Sequence, residues 1–208
     1  TFEGDVSGKY RKSLGGFQWA LDIALAAAPF YYTAPLKAKS DALAALLVFV
    51  AAARASDIPP LFAPGGEFTS CSGKGNKEAS LARVGISVQW ISTDLHLARA
   101  EKAHHVLDVA MRANMAAAAK DLPDTLWHFA PASRCASHNT SYSKRHHDII
   151  HRLATGRFPG ISALYPYGSQ IVALDHPRPP RTDNRGVIGT YLAPAPAVGP
   201  RAIYYTTD

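Results

Sequence analysis

The chain has little of what usually announces a function. It holds two cysteines, Cys71 and Cys135, among 208 residues. Two thiols cannot build a disulfide framework, which leaves one bridge or two reduced side chains. Charge is scarce as well: Asp, Glu, Lys and Arg make up 18% of the residues, against 47% hydrophobic. Low charge over an ordinary apolar fraction implies surface destined for burial against partners. The longest apolar run, from Ala42 to Ala53, is too short to span a bilayer as a helix. The opening Thr-Phe-Glu-Gly-Asp-Val is polar and does not read as a signal peptide. Because it starts without Met, the chain is expected to be processed or to be a piece of something longer. No GxSxG nucleophile elbow is present. Gly65-Gly66 and Gly73-Lys74-Gly75 fail the spacing of a phosphate loop, and Gly75 stands where Ser or Thr would ligate magnesium.

What is present begins with a net charge of +6, unevenly placed. From Arg134 to Arg157, five Arg/Lys residues face a single Asp. Such a balance suits an anionic partner, RNA or DNA in particular. The length fits one domain with a single core. Residues 1–16 are polar and Gly-rich and read as an arm. Residues 17–208 read as one α+β domain whose end, 176–208, is extended.

Apolar spacing and helix-stop signals predict helices over 17–28, 41–54, 94–119 and 144–155. A clean alternation predicts a strand near 84–91. The first three quarters are therefore expected to be mainly helical. The prolines at 177, 179, 180, 194, 196 and 200 forbid long helices in the last quarter. Strands are expected there at 170–174, 186–192 and 201–206. Asn139-Thr140-Ser141 forms a glycosylation sequon, which matters only in a secreted protein.

The segment Ser143-Lys-Arg-His-His-Asp-Ile-Ile-His-Arg-Leu-Ala-Thr-Gly156 concentrates the candidate chemistry. On a helical wheel His146, Ile149, Ile150 and Leu153 form an apolar stripe, with Gly156 as a C′ residue. His147 and His151 would share another face at the spacing by which two imidazoles hold one metal. With Asp148 they compose a possible metal-dependent hydrolase. With Cys135 and His138 they compose a possible zinc set, Cys-x2-His-x8-His-x3-His. Neighbouring cations argue against a dication and for an anion. The expected anion-binding or nucleic-acid-binding residues are Lys144, Arg145, His147, His151 and Arg152. Arg178, Arg181 and Arg185, in a stiff proline-rich loop, complete that group.

The reading these features support best is a non-enzymatic structural subunit of a large assembly. A shell protein around RNA or DNA, or an accessory subunit of an organellar complex, would have a basic face toward nucleic acid or an acidic partner. Other protein subunits are its expected partners, and no cofactor is required. The alternatives are the metal-dependent hydrolase, with zinc, and a stand-alone nucleic-acid-binding module.

Overall fold

The computed structural model describes residues 2–25, 28–55, 66–70, 77–90, 98–118, 122–161, 164–174, 186–195 and 202–206. In chain order the elements are β1 (Phe2–Gly8), β2 (Trp19–Leu25), β3 (Tyr31–Leu36), α1 (Ala42–Ala55), β4 (Gly66–Ser70), α2 (Lys77–Arg83), β5 (Ile86–Trp90) and α3 (Ala98–Ala117). They are followed by α4 (Phe129–Asn139), β6 (Tyr142–Ser143), β7 (Asp148–Ile149), α5 (Ile150–Thr155), β8 (Gln170–Leu174), β9 (Gly186–Pro194) and β10 (Ala202–Tyr205).

The frame is a five-stranded sheet in the order β3-β2-β1-β4-β5. The first three strands run as an antiparallel meander, and β4 and β5 join parallel to β1. Side chains alternate between the two faces of each strand. Phe2 and Val6, with Leu21, Ile23 and Leu25, pack in one core with Leu46, Phe49 and Val50 of α1. Ala24 of β2 and Tyr31 of β3 pack on the other side in a second core with Ala103 and Leu107 of α3 and Cys135 of α4. The sheet is thus sandwiched between α1 on one face and α3 with α4 on the other. β8, β9 and β10 form a separate antiparallel sheet in the order β10-β9-β8.

The expected helical character of the first three quarters is overturned. The helix expected over 17–28 is the strand β2, which pairs with β1 and β3. β2 is covered on both faces, and nearly its whole length is buried. A strand buried on both sides reads as a continuous apolar run, which periodicity cannot separate from a buried helix. Residues 2–8, expected within a polar arm, form the strand at the centre of the sheet. Its polar residues, Glu3, Asp5 and Ser7, all lie on the side of α3. α1 and α3 do lie where helices were expected, and β5 falls within the expected strand.

The helix expected over 144–155 is a hairpin followed by a short helix. β6 and β7 pair antiparallel around a turn at 144–147, with His146 N–H donating to the Ser143 carbonyl at 3.2 Å. His147 takes a positive φ of 53° at the end of that turn. Helix α5 then starts only at Ile150 and ends on Gly156, whose φ of +74° is the left-handed C-terminal geometry expected of it. The helix α4 was not foreseen. Its Pro131 sits in the first turn, where a missing N–H costs nothing.

A cationic cleft beside a buried carboxylate

The first residue of β1 to reach across the fold is Glu3. Its carboxylate accepts the backbone N–H of Arg99 at 3.1 Å and of Ala100 at 3.4 Å, and it pairs with the Arg99 guanidinium at 3.1 Å. A carboxylate there caps the start of α3 and complements its dipole. This bond fixes the first turn of α3 against the sheet and with it the positions of Arg99 and Lys102.

Those two cations line a cleft of about 360 Å³ together with Arg145 and His146 from the hairpin turn. Its floor is Ala24, Leu25, Ala28, Pro29 and Tyr31, with Ser143 also lining it. Among the described residues, no carboxylate lines it. Lys102 and Arg145 make no ion pair among the described residues.

The floor is rigidly held. Asn139, at the end of α4, donates from Nδ2 to the Tyr31 carbonyl at 2.7 Å and accepts the Tyr31 N–H at Oδ1 at 3.0 Å. It imitates a paired strand along the free edge of β3. His138 stacks on the Tyr31 ring at 4.6 Å and donates from Nε2 to the Pro29 carbonyl at 2.8 Å. Burial pushes the His138 imidazole below its ordinary pKa, against the opposing effect of that carbonyl.

One helical turn further along α3 lies the buried Asp22, directly opposite Asp5 on the neighbouring strand. Asp22 is 2% exposed. Its carboxylate accepts the hydroxyls of Thr33 at 2.7 Å and Ser7 at 2.8 Å, and His104 Nε2 stands 3.4 Å away. Tyr10 donates to Ser7 at 3.0 Å and extends the chain of bonds outward. Burial raises the Asp22 pKa, against the lowering effects of His104 and the two hydroxyls. Outside this network opens a second cleft of about 600 Å³, lined by Lys9, Tyr10, Glu101, His104, His105 and Asp108.

The residues singled out from the sequence are distributed as follows. Lys144, Arg145 and His147 are exposed on the hairpin turn, and Arg145 alone of these lines the cationic cleft. Arg152 on α5 pairs with Asp148 at 3.5 Å and lies 4.8 Å over the Phe158 ring, so its charge is partly used. His151 donates from Nδ1 to the Arg157 carbonyl at 3.0 Å. Arg178, Arg181 and Arg185, like Cys71, lie outside the described residues.

The hydrolase expected from His147, His151 and Asp148 is not assembled, because the helix that was to align the two imidazoles is not there. The zinc set Cys135, His138, His147 and His151 fails as well. Cys135 is a buried free thiol packed against α3 and the sheet, its pKa pushed well up by burial, and His138 is engaged with Tyr31 and Pro29. Among the described residues, no three His, Cys, Asp or Glu side chains converge on one ion position. The sequence reading missed Arg99 and Lys102. They stand in the first turns of α3 with Glu101 between them, a pattern that reads as ordinary surface until Glu3 and the hairpin are placed beside them.

Among the described residues no helix is long and apolar enough to cross a membrane. No protein-family model matches the chain, and no curated protein does. Among solved structures, 194 chains match. One belongs to the cryoEM structure of a simian T-cell lymphotropic virus intasome in complex with PP2A regulatory subunit B56 gamma. The likeness has a TM-score of 0.58 at 13% identity and covers 92% of this chain and 68% of that one, which shows a shared fold.

Proposed function

We propose that this domain is a non-enzymatic, DNA-holding subunit of a larger nucleoprotein assembly, and that the cleft between α3 and the 144–147 turn grips the phosphate backbone. One observation carries the reading: Arg99, Lys102, Arg145 and His146 converge on one cleft that no carboxylate lines among the described residues. Arg99 is held in place by Glu3, while Lys102 and Arg145 keep their charge available for an anion. The fold likeness to a chain of a viral intasome complex supports an assembly setting.

Fluorescence anisotropy with a labelled duplex, titrated at several salt concentrations, tests this. Affinity is expected to fall steeply with salt, since each neutralised phosphate contributes a slope of about 0.9. Arg145→Ala and Lys102→Ala are each expected to lower that slope by about 1 and to weaken binding alike for different sequences. Arg152→Ala, whose charge is already shared with Asp148, is expected to do much less. A flat salt response, or an unchanged slope in both cleft variants, overturns the reading.

A second reading has its own observation. Asp5 and Asp22 are cross-strand neighbours, and Glu101 and Asp108 line the adjoining cleft on the same helix that supplies Arg99 and Lys102. Carboxylates beside a phosphate-holding cleft suit metal-assisted phosphoryl transfer. Asp22 is already occupied by Thr33, Ser7 and His104, which is why binding without chemistry stands first. Cleavage of supercoiled plasmid in magnesium or manganese, lost in Glu101→Gln, would reverse that order. No cleavage above a protein-free control ends the second reading.

A further inference from the structure

We infer that a second DNA-backbone contact, separate from the cleft, is built from Lys12 in the loop between β1 and β2 and from Lys37 and Lys39 just after β3. It takes from the DNA-holding reading only the class of partner.

The three lysines are exposed and form no ion pair among the described residues. The Cε atoms of Lys12 and Lys37 both lie within 4 Å of the point that a Cβ on Gly16 would occupy. Cationic side chains held that near repel each other, and Lys39, two residues beyond Lys37, adds a third. An anion lying along them relieves the repulsion. The neighbouring carboxylates are engaged elsewhere: Asp41 accepts the Ala38 N–H at 2.9 Å, and Asp124 pairs with Arg11 at 3.4 Å.

The surface is preformed. The Lys39 ammonium stands 4.6 Å over the Trp19 ring, and that of Lys37 stands 5.9 Å over the Phe17 ring. Each ring holds its lysine by attraction to the cation. The loop beneath is fixed as well. Leu14 N–H donates to the Thr125 carbonyl at 2.9 Å, Trp127 Nε1 to the Arg11 carbonyl at 2.7 Å, and Phe17 N–H to the Ser13 hydroxyl at 3.0 Å. Little freedom is lost when phosphates settle there.

These lysines do not reach a phosphate held in the cleft. Trp19 opens β2 and Leu25, at the cleft, closes it. A strand of that length separates them by about 20 Å, at roughly 3.3 Å per residue. A lipid surface is the other polyanion such a patch could meet, and the rings argue against it. Trp and Phe seat a protein among lipid headgroups by their free apolar faces. Here lysines cover Trp19 and Phe17, and Phe17 also packs on His128 at 5.1 Å. Leu14, 73% exposed, is a single apolar side chain and too little to hold a bilayer.

The test measures duplex binding by anisotropy across salt in full-length protein whose cleft is disabled by Lys102→Ala with Arg145→Ala. Weaker binding is expected to remain, with a salt slope of about 3, or about 0.9 for each lysine. Lys12→Gln, Lys37→Gln and Lys39→Gln together should abolish that residual slope. Lys12→Arg, Lys37→Arg and Lys39→Arg together should keep it, which separates charge from fold. If the cleft-disabled protein binds no duplex, or binds it equally with the three glutamines, the inference is wrong while the cleft reading stands. If the three glutamines remove duplex binding and the cleft variants change nothing, the cleft reading fails and this one stands. Sedimentation with phosphatidylserine–phosphatidylcholine vesicles, lost in the glutamine variant while its duplex binding persists, would assign the surface to a membrane and overturn the inference.

Discussion

Asp22→Ala is expected to destabilise the fold by about 3–5 kcal/mol, the cost of breaking a buried, hydrogen-bonded charge arrangement by removing one partner. The substitution would leave the Thr33 and Ser7 hydroxyls and the His104 ring without the group they converge on. Asp22→Asn is expected to differ sharply. The amide is isosteric, Thr33 can still donate to its oxygen, and the Ser7 hydroxyl can turn toward the Ala20 carbonyl, 3.5 Å away. The difference between Asn and the native Asp should depend on pH, because burial raises the Asp22 pKa. An unfolded aspartate ionises near about 4. Above that pH the unfolded chain has released a proton that the folded chain still holds, so native stability falls as pH rises toward the elevated folded value. Asp22→Asn lacks this loss. Its stability relative to the native chain should therefore climb from about pH 4 upward and level off once Asp22 is ionised in the folded state. Urea unfolding midpoints across pH measure this directly. A constant difference between the two proteins would mean that Asp22 is ionised with an ordinary pKa and that His104 holds it as a full ion pair.

Asp22 also shows where sequence reasoning loses information. A single aspartate inside Trp-Ala-Leu-Asp-Ile-Ala-Leu looks like the polar position of an amphipathic helix, and the alanines that follow strengthen that impression. In the sheet it is a buried residue that faces Asp5 on one side and Thr33 on the other. Those partners are 17 and 11 positions away, and no local pattern reports them. α1 and α3 were legible because each carries its own helical spacing, and the C-terminal strands because prolines bound them. The histidine segment was illegible for the opposite reason. Its wheel pattern is good, but the Ile150 N–H donates to the Ser141 carbonyl at 3.0 Å, closing a hairpin that the wheel ignores.

The candidate site divides along the same line. Arg145 was named from the local density of cations. Arg99 and Lys102 belong to a helix whose first turn is set by Glu3, 96 residues earlier. Charge density along the chain finds a basic segment; a cleft needs the second segment that closes it. The expected clustering of Lys144, Arg145, His147, His151 and Arg152 on one helix face dissolves for that reason, and one of the five remains in the cleft.

Asn139→Ala is the second large effect expected. Its side chain is bonded at both ends to the backbone of Tyr31, which is 6% exposed. Alanine would orphan a buried N–H and a buried carbonyl. Each unsatisfied group costs about 1–3 kcal/mol, so a combined loss of about 2–6 kcal/mol is expected. Asn139→Asp separates hydrogen bonding from packing. The shape is kept and the Tyr31 N–H remains satisfied, but a carboxylate oxygen now faces the Tyr31 carbonyl with no proton between them. Both variants should therefore unfold at lower denaturant, with Asp no better than about half recovered near neutral pH and recovering further in acid as the carboxyl gains a proton to donate. If Asn139→Asp were as stable as the native chain at pH 8, the Nδ2 bond to Tyr31 would not be holding the edge of β3. The same geometry removes the sequon as a modification site in the folded chain, because the amide nitrogen that would carry a glycan is already bonded and buried against the edge strand.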